Sequence, residues 1–212
     1  RVQVLHSDTV LHLLGKNIPM RVRNTFRPEN EGTLIVSQRE GNHSTMEGIS
    51  YTPNCVLINI KRIGMGDIRG YKGRTLDMVA DHGFSSASDS SDRDAFSLII
   101  EEPQYRGNNK KEQQARFYES IKQLKKILKD DRFLRPDRVE IDKDVALVYC
   151  VGQNMENVPG VSGKVFGALG HASVNVKFIS QGNSQDSISF AVKNSEAQPA
   201  VTAIYGSFYP RK

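Results

Sequence analysis

Two stretches of this chain repeat each other at an offset of 90 residues. Arg69-Gly-Tyr-Lys-Gly-Arg74 lines up with Pro159-Gly-Val-Ser-Gly-Lys164, Met65 with Met155, and His82-Gly-Phe84 with Ala172-Ser-Val174. Phe96-Ser-Leu98 then matches Ile188-Ser-Phe190 once two residues are allowed for in the last turn. A duplication of this length confines the fold to two like units, each burying an apolar face.

The local patterns give the element order of one unit. Pro159 suits the first turn of a helix, where its missing N–H has no partner to lose. Val161, Val165, Phe166 and Leu169 follow at helical spacing. Val174, Val176 and Phe178 alternate with Asn175 and Lys177, and Ile188 and Phe190 with Ser187 and Ser189, as in strands buried on one side. Residues 54–60 and 145–151 read as the first strands of the two copies. Between the copies, Phe117, Ile121, Leu124 and Leu128 make one stripe of a long amphipathic helix over 110–130. Residues 132–141 read as the strand returning from it. In the second copy, 195–205 reads as the matching helix, with Ser195 as cap and Pro199 early. Strand, helix, strand, strand, helix is the order of a βαββαβ ferredoxin-like unit, so the fold class is α+β with tandem units at 48–142 and 143–212.

The first 47 residues do not fit either copy. Residues 8–16 read as a short helix capped by Asp8, and 18–23 and 33–36 as two strands. That is too little for a domain. The chain opens on Arg1 inside an apolar pattern and reads as a piece of a longer polypeptide, with a polar linker at 37–47 that holds His43.

Charge and cysteine content bound the chemistry. The net charge of +5 comes entirely from 110–138, which holds ten basic and five acidic residues. A solvated helix face explains them better than a nucleic-acid footprint, because the central strands 56–60 and 145–149 offer only Tyr149 for base stacking. No apolar run is long enough to span a bilayer, and the N-terminus lacks a signal-peptide layout. Cys55 and Cys150 sit in apolar strand-like runs and read as buried free thiols in a reducing compartment. No phosphate-binding loop with its lysine and no nucleophile-and-base set stands out. Asp89, Asp92 and Asp94 lie among serines without the spacing of a calcium loop, so no metal site is expected.

The run through Asn154-Met155, Pro159-Gly160-Val161, Asn175-Val176 and Ile179-Ser180-Gln181-Gly182 resembles the second ACT domain of aspartate kinases. Val4-Leu5-His6, Ile18-Pro19, Arg21-Val22-Arg23-Asn24-Thr25-Phe26, Pro28 and Gly32-Thr33-Leu34-Ile35 are similar to the end of the catalytic domain of the same family. The resemblance implies a remnant of an α/β amino-acid kinase domain over 1–36, followed by tandem ACT domains. It implies a cytoplasmic parent enzyme that transfers the γ-phosphate of ATP, with magnesium, to L-aspartate on the way to lysine, threonine and methionine, or ectoine. This chain would supply the regulatory, homodimer-forming region, with no catalytic residues, no cofactor of its own, and no nucleic-acid or membrane partner. The alternative it leaves open is a free-standing ACT-type amino-acid-binding subunit.

By the same resemblance, a feedback amino acid, lysine or threonine, sits between paired ACT domains, against the turn before the first helix and the start of the second strand. Such a place makes physical sense, because a helix N-terminus offers unpaired N–H donors to a carboxylate. Carried over position by position, the first copy contributes Met65, Asp67, Ile68, Gly70, Ser85, Ser86 and Ala87. The second contributes Gln153, Asn154, Met155, Pro159, Gly160, Val161, Asn175, Val176 and Gln181. Three places depart from the family pattern. Ser86-Ala87 stands where sensors of lysine or threonine carry Val-Asp, Ser91-Asp92-Arg93 replaces Thr-Ser-Glu, and Asn183-Ser184-Gln185 replaces Ser-Ser-Glu. The carboxylate expected to hold the effector ammonium is missing, and an unpaired ammonium in a pocket is costly. An atypical effector response is therefore expected.

Overall fold

The computed structural model describes residues 5, 7–37, 45–105, 109–152, 155–182 and 186–210. The chain divides into two compact units, Arg1–His43 and Ser44–Lys212. The smaller holds helix α1 (Ser7–Leu14) and an antiparallel pair, β1 (Met20–Val22) and β2 (Thr33–Ile35), with Met20 opposite Ile35 and Val22 opposite Thr33. The Arg21 guanidinium donates to the Glu31 carbonyl at 3.1 Å and holds the connection between these strands. The Asp8 side chain and residues 38–44, most of the expected linker with His43, lie outside the described residues.

The larger unit carries β3 (Gly48–Lys61), α2 (Tyr71–Asp81), β4 (Ser88–Ser91), β5 (Ala95–Glu101), α3 (Lys110–Asp130), β6 (Arg138–Val151), α4 (Val161–His171), β7 (Phe178–Gln181), β8 (Ser187–Val192) and α5 (Ala197–Phe208). Its strands form a six-stranded antiparallel sheet in the order β4-β5-β3-β6-β8-β7. Tandem ferredoxin-like units, as the repeat requires, share this sheet.

The sharing is not end to end. β3 and β6 are each 14 residues long, and each serves both copies. The C-terminal half of β3 pairs with β5 on one side and with the start of β6 on the other, Lys61 facing Arg138. Its N-terminal half pairs with the end of β6, Gly48 facing Val151 and Thr52 facing Leu147. The first copy thus takes its fourth strand from the start of β6. The second takes its own from Gly48, Ile49, Ser50, Tyr51 and Thr52, residues that precede the first copy in sequence. The expected division at 48 and 143 gives all of β3 to the first copy, whereas its residues Gly48, Ile49, Ser50, Tyr51 and Thr52 pair with the end of β6.

A bulge marks the handover in β3. The register shifts between Thr52 and Cys55, and Asn54 adopts a left-handed conformation with φ of 57°. The Asn54 N–H donates to the Asn194 Oδ1 at 2.8 Å, and the Asn194 amide donates to Asp144 Oδ1 at 3.1 Å. Beside them Lys177 Nζ donates to Asp142 Oδ2 at 2.6 Å. Burial alone would raise the Asp142 carboxyl. The Lys177 ammonium and the Asp144 N–H outweigh burial and hold it below the usual carboxylate range.

Strand periodicity divides the core into three parts. Val56, Ile58, Ile60, Phe96, Leu98 and Ile100 face Tyr71, Val79, Ile121 and Leu124 of α2 and α3. Val148, Cys150, Ile188, Phe190 and Val192 face Val165, Leu169, Ala200 and Ile204 of α4 and α5. The alternate residues Cys55, Leu57, Ile99, Val145, Leu147, Phe178 and Ala191 are buried on the opposite face. Burial there follows from the curl of the sheet, which brings its two edge strands together. The Ser180 hydroxyl donates to the Asp89 carbonyl at 2.8 Å, and the Ser88 and Ser189 hydroxyls lie 3.1 Å apart.

Three further expectations are corrected. Residues 174–177 form no ladder, and β7 begins at Phe178, because the chain leaves α4 through Ser173 with φ of 55° and reaches β8 only at Lys177, whose N–H bonds Ala191. β6 begins at Arg138, not 132, since the Asp131 carboxylate caps a turn by accepting from the N–H groups of Phe133 and Leu134. α5 starts at Ala197 after a 3₁₀ turn over Asn194–Glu196, with Glu196 rather than Ser195 at its N-cap.

Candidate functional site

The offset of 90 residues persists in three dimensions. Gly70 and Gly160 precede α2 and α4 in the left-handed region, with φ of 78° and 89°. Each closes a 3₁₀ turn whose methionine, Met65 or Met155, plugs the core beneath. In the first copy Lys72 Nζ donates to Ser91 Oγ at 2.6 Å. At the corresponding place in the second copy, the Ser162 hydroxyl lies 3.4 Å from Gln181 Oε1. In both, the end of the second strand reaches the N-terminus of the first helix.

The two helix starts differ in access. In the first copy the β4–β5 turn is latched onto the 64–67 turn. Gly64 N–H donates to Asp94 Oδ1 at 2.7 Å, Gly66 N–H to the Arg93 carbonyl at 2.7 Å, and the Arg93 guanidinium pairs with Asp67 at 3.2 Å. That ion pair is largely solvated and contributes little to stability. It does place a cation where the family pattern has a glutamate. In the second copy, Met155, Pro159, Gly160, Val161 and Gln181 line a cleft of about 280 Å³ together with Val158 and Ser162. Five of the nine second-copy positions therefore meet at one place. Asn175 is exposed and Val176 packs on the second core, both off this cleft. Gln153 and Asn154 lie outside the described residues, as does 183–185.

The seven first-copy positions fall into two groups. Met65, Asp67, Ile68 and Gly70 lie at the N-terminal end of α2, and Met65 is fully buried. Ser85, Ser86 and Ala87 follow its C-terminal end and line a separate cleft of about 450 Å³. The 11 residues of α2 separate the groups by roughly 16 Å. No single copy can bring both to one ligand. Sequence reasoning also missed Ser162, Lys72 and Glu101, although the repeat itself places Lys72 on Ser162 and Ser91 on Gln181.

A family model described as the ACT domain matches residues 148–208. The matched span is similar to an ACT domain. The chain is 29% identical over 206 residues to aspartokinase 3 of Bacillus subtilis, covering 97% of this chain and 42% of that protein. The crystal structure of aspartate kinase from Clostridium acetobutylicum superposes with a TM-score of 0.78 at 29% identity, over 97% of this chain and 45% of that one. The regulatory subunit of aspartate kinase from Thermus flavus shares the fold, with a TM-score of 0.60 at 17% identity, over 77% of this chain and 99% of that one. The chain is thus related to aspartokinases along nearly all its length, and spans less than half of the curated relatives it matches. The ACT match covers β6 from Val148 through α5, so the cleft at Gly160 lies inside the matched span. Among the described residues no three His, Cys, Asp or Glu side chains are grouped to hold a metal, and no helix is long and apolar enough to cross a membrane.

Proposed function

We propose that this chain is the regulatory region of a cytoplasmic aspartate kinase, in which a homodimer of ACT domains reads an amino acid. The parent enzyme transfers the γ-phosphate of ATP, with magnesium, to the β-carboxylate of L-aspartate. The 212-residue chain alone carries no phosphotransfer, because it corresponds to under half of its aspartokinase relatives. Its ACT units are nested: residues 55–142 form the first, and 45–52 with 143–210 form the second around it.

One observation carries the dimer. Ser85, Ser86 and Ala87 lie a helix length away from Met65, Asp67, Ile68 and Gly70. A ligand that touches the helix start of one domain can reach the strand start only of a neighbour set beside it in the opposite sense. The first-copy site is therefore completed by a second chain. The effector response is atypical, since Ser86 and Ala87 supply no carboxylate and Arg93 adds a cation.

Calorimetric titration of the chain with lysine, threonine, methionine and S-adenosylmethionine, with native mass measured in parallel, tests this. Binding of one of them to a dimer is expected, with lysine and threonine weak. A monomer that binds none of the four would refute the sensing role, and aspartate phosphorylation by the isolated chain would refute its being only regulatory.

A further inference from the structure

The 450 Å³ cleft beyond the C-terminal end of α2 contains the carboxylate of Glu101, which has no charged partner among the described residues. β5 extends past the start of β4, so its last residue, Glu101, lies at an uncovered stretch of edge, facing Ser85 and Ser86 across the cleft. Neighbouring residues of a strand point to opposite faces, and the two adjacent glutamates have separate fates. Glu102 is held by α3, accepting from Gln114 Nε2 at 2.7 Å and from the Tyr118 hydroxyl at 3.1 Å. Glu101 accepts one long bond, 3.3 Å from the Tyr149 hydroxyl, and has no ion pair among the described residues. A half-buried carboxylate has room for about four donors and gains most from a charged one.

The remaining walls are apolar and belong to the helix-covered face of the sheet, opposite the face of Glu101 and Tyr149, so the cleft wraps the uncovered edge. Phe84 and Phe117 meet edge to face with centroids 5.7 Å apart, and Ile100 and Pro103 complete the lining. Ser86 spends its hydroxyl on the Ser88 carbonyl at 3.0 Å, whereas the Ser85 hydroxyl has no hydrogen-bond partner among the described residues. A carboxylate anchor on one side of the edge, a hydroxyl across from it and an aromatic wall on the other side suit a small zwitterion that straddles the edge with an apolar side chain. We infer that this cleft binds the ammonium group of an apolar α-amino acid on Glu101, which supplies, from the neighbouring strand, the negative charge missing at Ser86 and Ala87.

The inference rests on the reading of this chain as an amino-acid sensor and names the ligand class and its anchor. The test is calorimetric titration of the whole chain with L-methionine, L-phenylalanine and N-acetyl-L-methionine, with L-lysine and L-threonine as comparison. Methionine or phenylalanine is expected to bind, and the acetylated compound, which lacks the ammonium group, to fail. Glu101→Gln, which keeps an acceptor for Tyr149, should weaken binding at least about tenfold, the worth of a charged hydrogen bond. Ile127→Ala, at an exposed side chain of α3 outside both clefts, should leave it unchanged. Adding Ser86→Asp to Glu101→Gln should restore part of the loss. If Glu101→Gln melts like the parent and binds equally well, this site is overturned while amino-acid sensing stands. The site is overturned in the same way if only lysine or threonine binds, or if the acetylated compound binds as tightly as methionine. Should no amino acid bind at all, the sensing role falls with it.

Discussion

Met46→Ala measures whether the second repeat unit draws on chain that precedes the first. In sequence, Met46 ends a polar stretch and reads as linker, where truncation to alanine would change stability by less than about 0.5 kcal/mol. In the structure it is fully buried within the second core, beside Val148, Cys150, Val165 and Ile204. Its carbonyl accepts the Tyr209 hydroxyl, and the next N–H, that of Glu47, donates to the Val151 carbonyl at 2.8 Å. The substitution leaves those backbone bonds in place and removes three side-chain heavy atoms. At about 0.8 kcal/mol per buried methylene-sized group, the lost transfer energy is roughly 2 kcal/mol. A cavity term brings the expected cost to about 2–4 kcal/mol. Urea unfolding followed by circular dichroism gives the total. Hydrogen exchange then shows where it falls, with α4 and α5 losing protection before α2 and α3. Ile63→Ala, at a side chain 85% exposed, is the control and should be near neutral. A cost below about 0.5 kcal/mol for Met46→Ala, or a loss of protection confined to α2 and α3, would refute the nested arrangement.

Three shorter tests concern charge, thiols and the helix start. The folded-state pKa of Asp142 lies below its ordinary value, so the stability it contributes is present above about pH 4 and is lost as pH falls through the depressed value. Lys177→Met removes the ammonium partner and should move the acid-unfolding midpoint to higher pH; an unmoved midpoint would show that Lys177 is not what holds the carboxyl down. Burial pushes the thiols of Cys55 and Cys150 up to about 11 and about 12. An aromatic disulfide reagent at about pH 8 should therefore label neither until denaturant is added, and rapid labelling of the folded protein would contradict their burial. Gly160→Ala meets no atom within 4 Å, but forces a side chain onto φ of 89°. It should cost about 1–3 kcal/mol in urea unfolding, and no cost would mean that the turn relaxes.

The candidate clefts show how differently two parts of one pattern translate into space. The structure brings five of the positions around Gly160 together because they are local: Met155, Pro159, Gly160 and Val161 span a 3₁₀ turn and the start of α4, and β7 runs back along that helix to bring Gln181 to its N-terminus. Those of the first copy were not. The family pattern groups Met65 with Ser85 as parts of a site shared by paired domains, whereas within one chain α2 holds them apart. Glu101 carried no signal, since a glutamate ending an apolar strand is what a solvated edge would also show.

The sequence by itself determined the elements and their repetition. The helical stripe Phe117, Ile121, Leu124 and Leu128, the turn glycines Gly70 and Gly160, and the alternation at Ile188 and Phe190 are local periodicities, and each formed where its period demands. Only the tertiary structure decided which strand completes which sheet. The apolar run that begins at Cys55 marks where the first core starts in β3, but nothing local shows that the residues before it pair with the end of β6. That point is set at the Asn54 bulge by partners far away in sequence, Asn194 and Asp144, and by the curl that joins β4 to β7 and buries the face carrying Cys55 and Leu147.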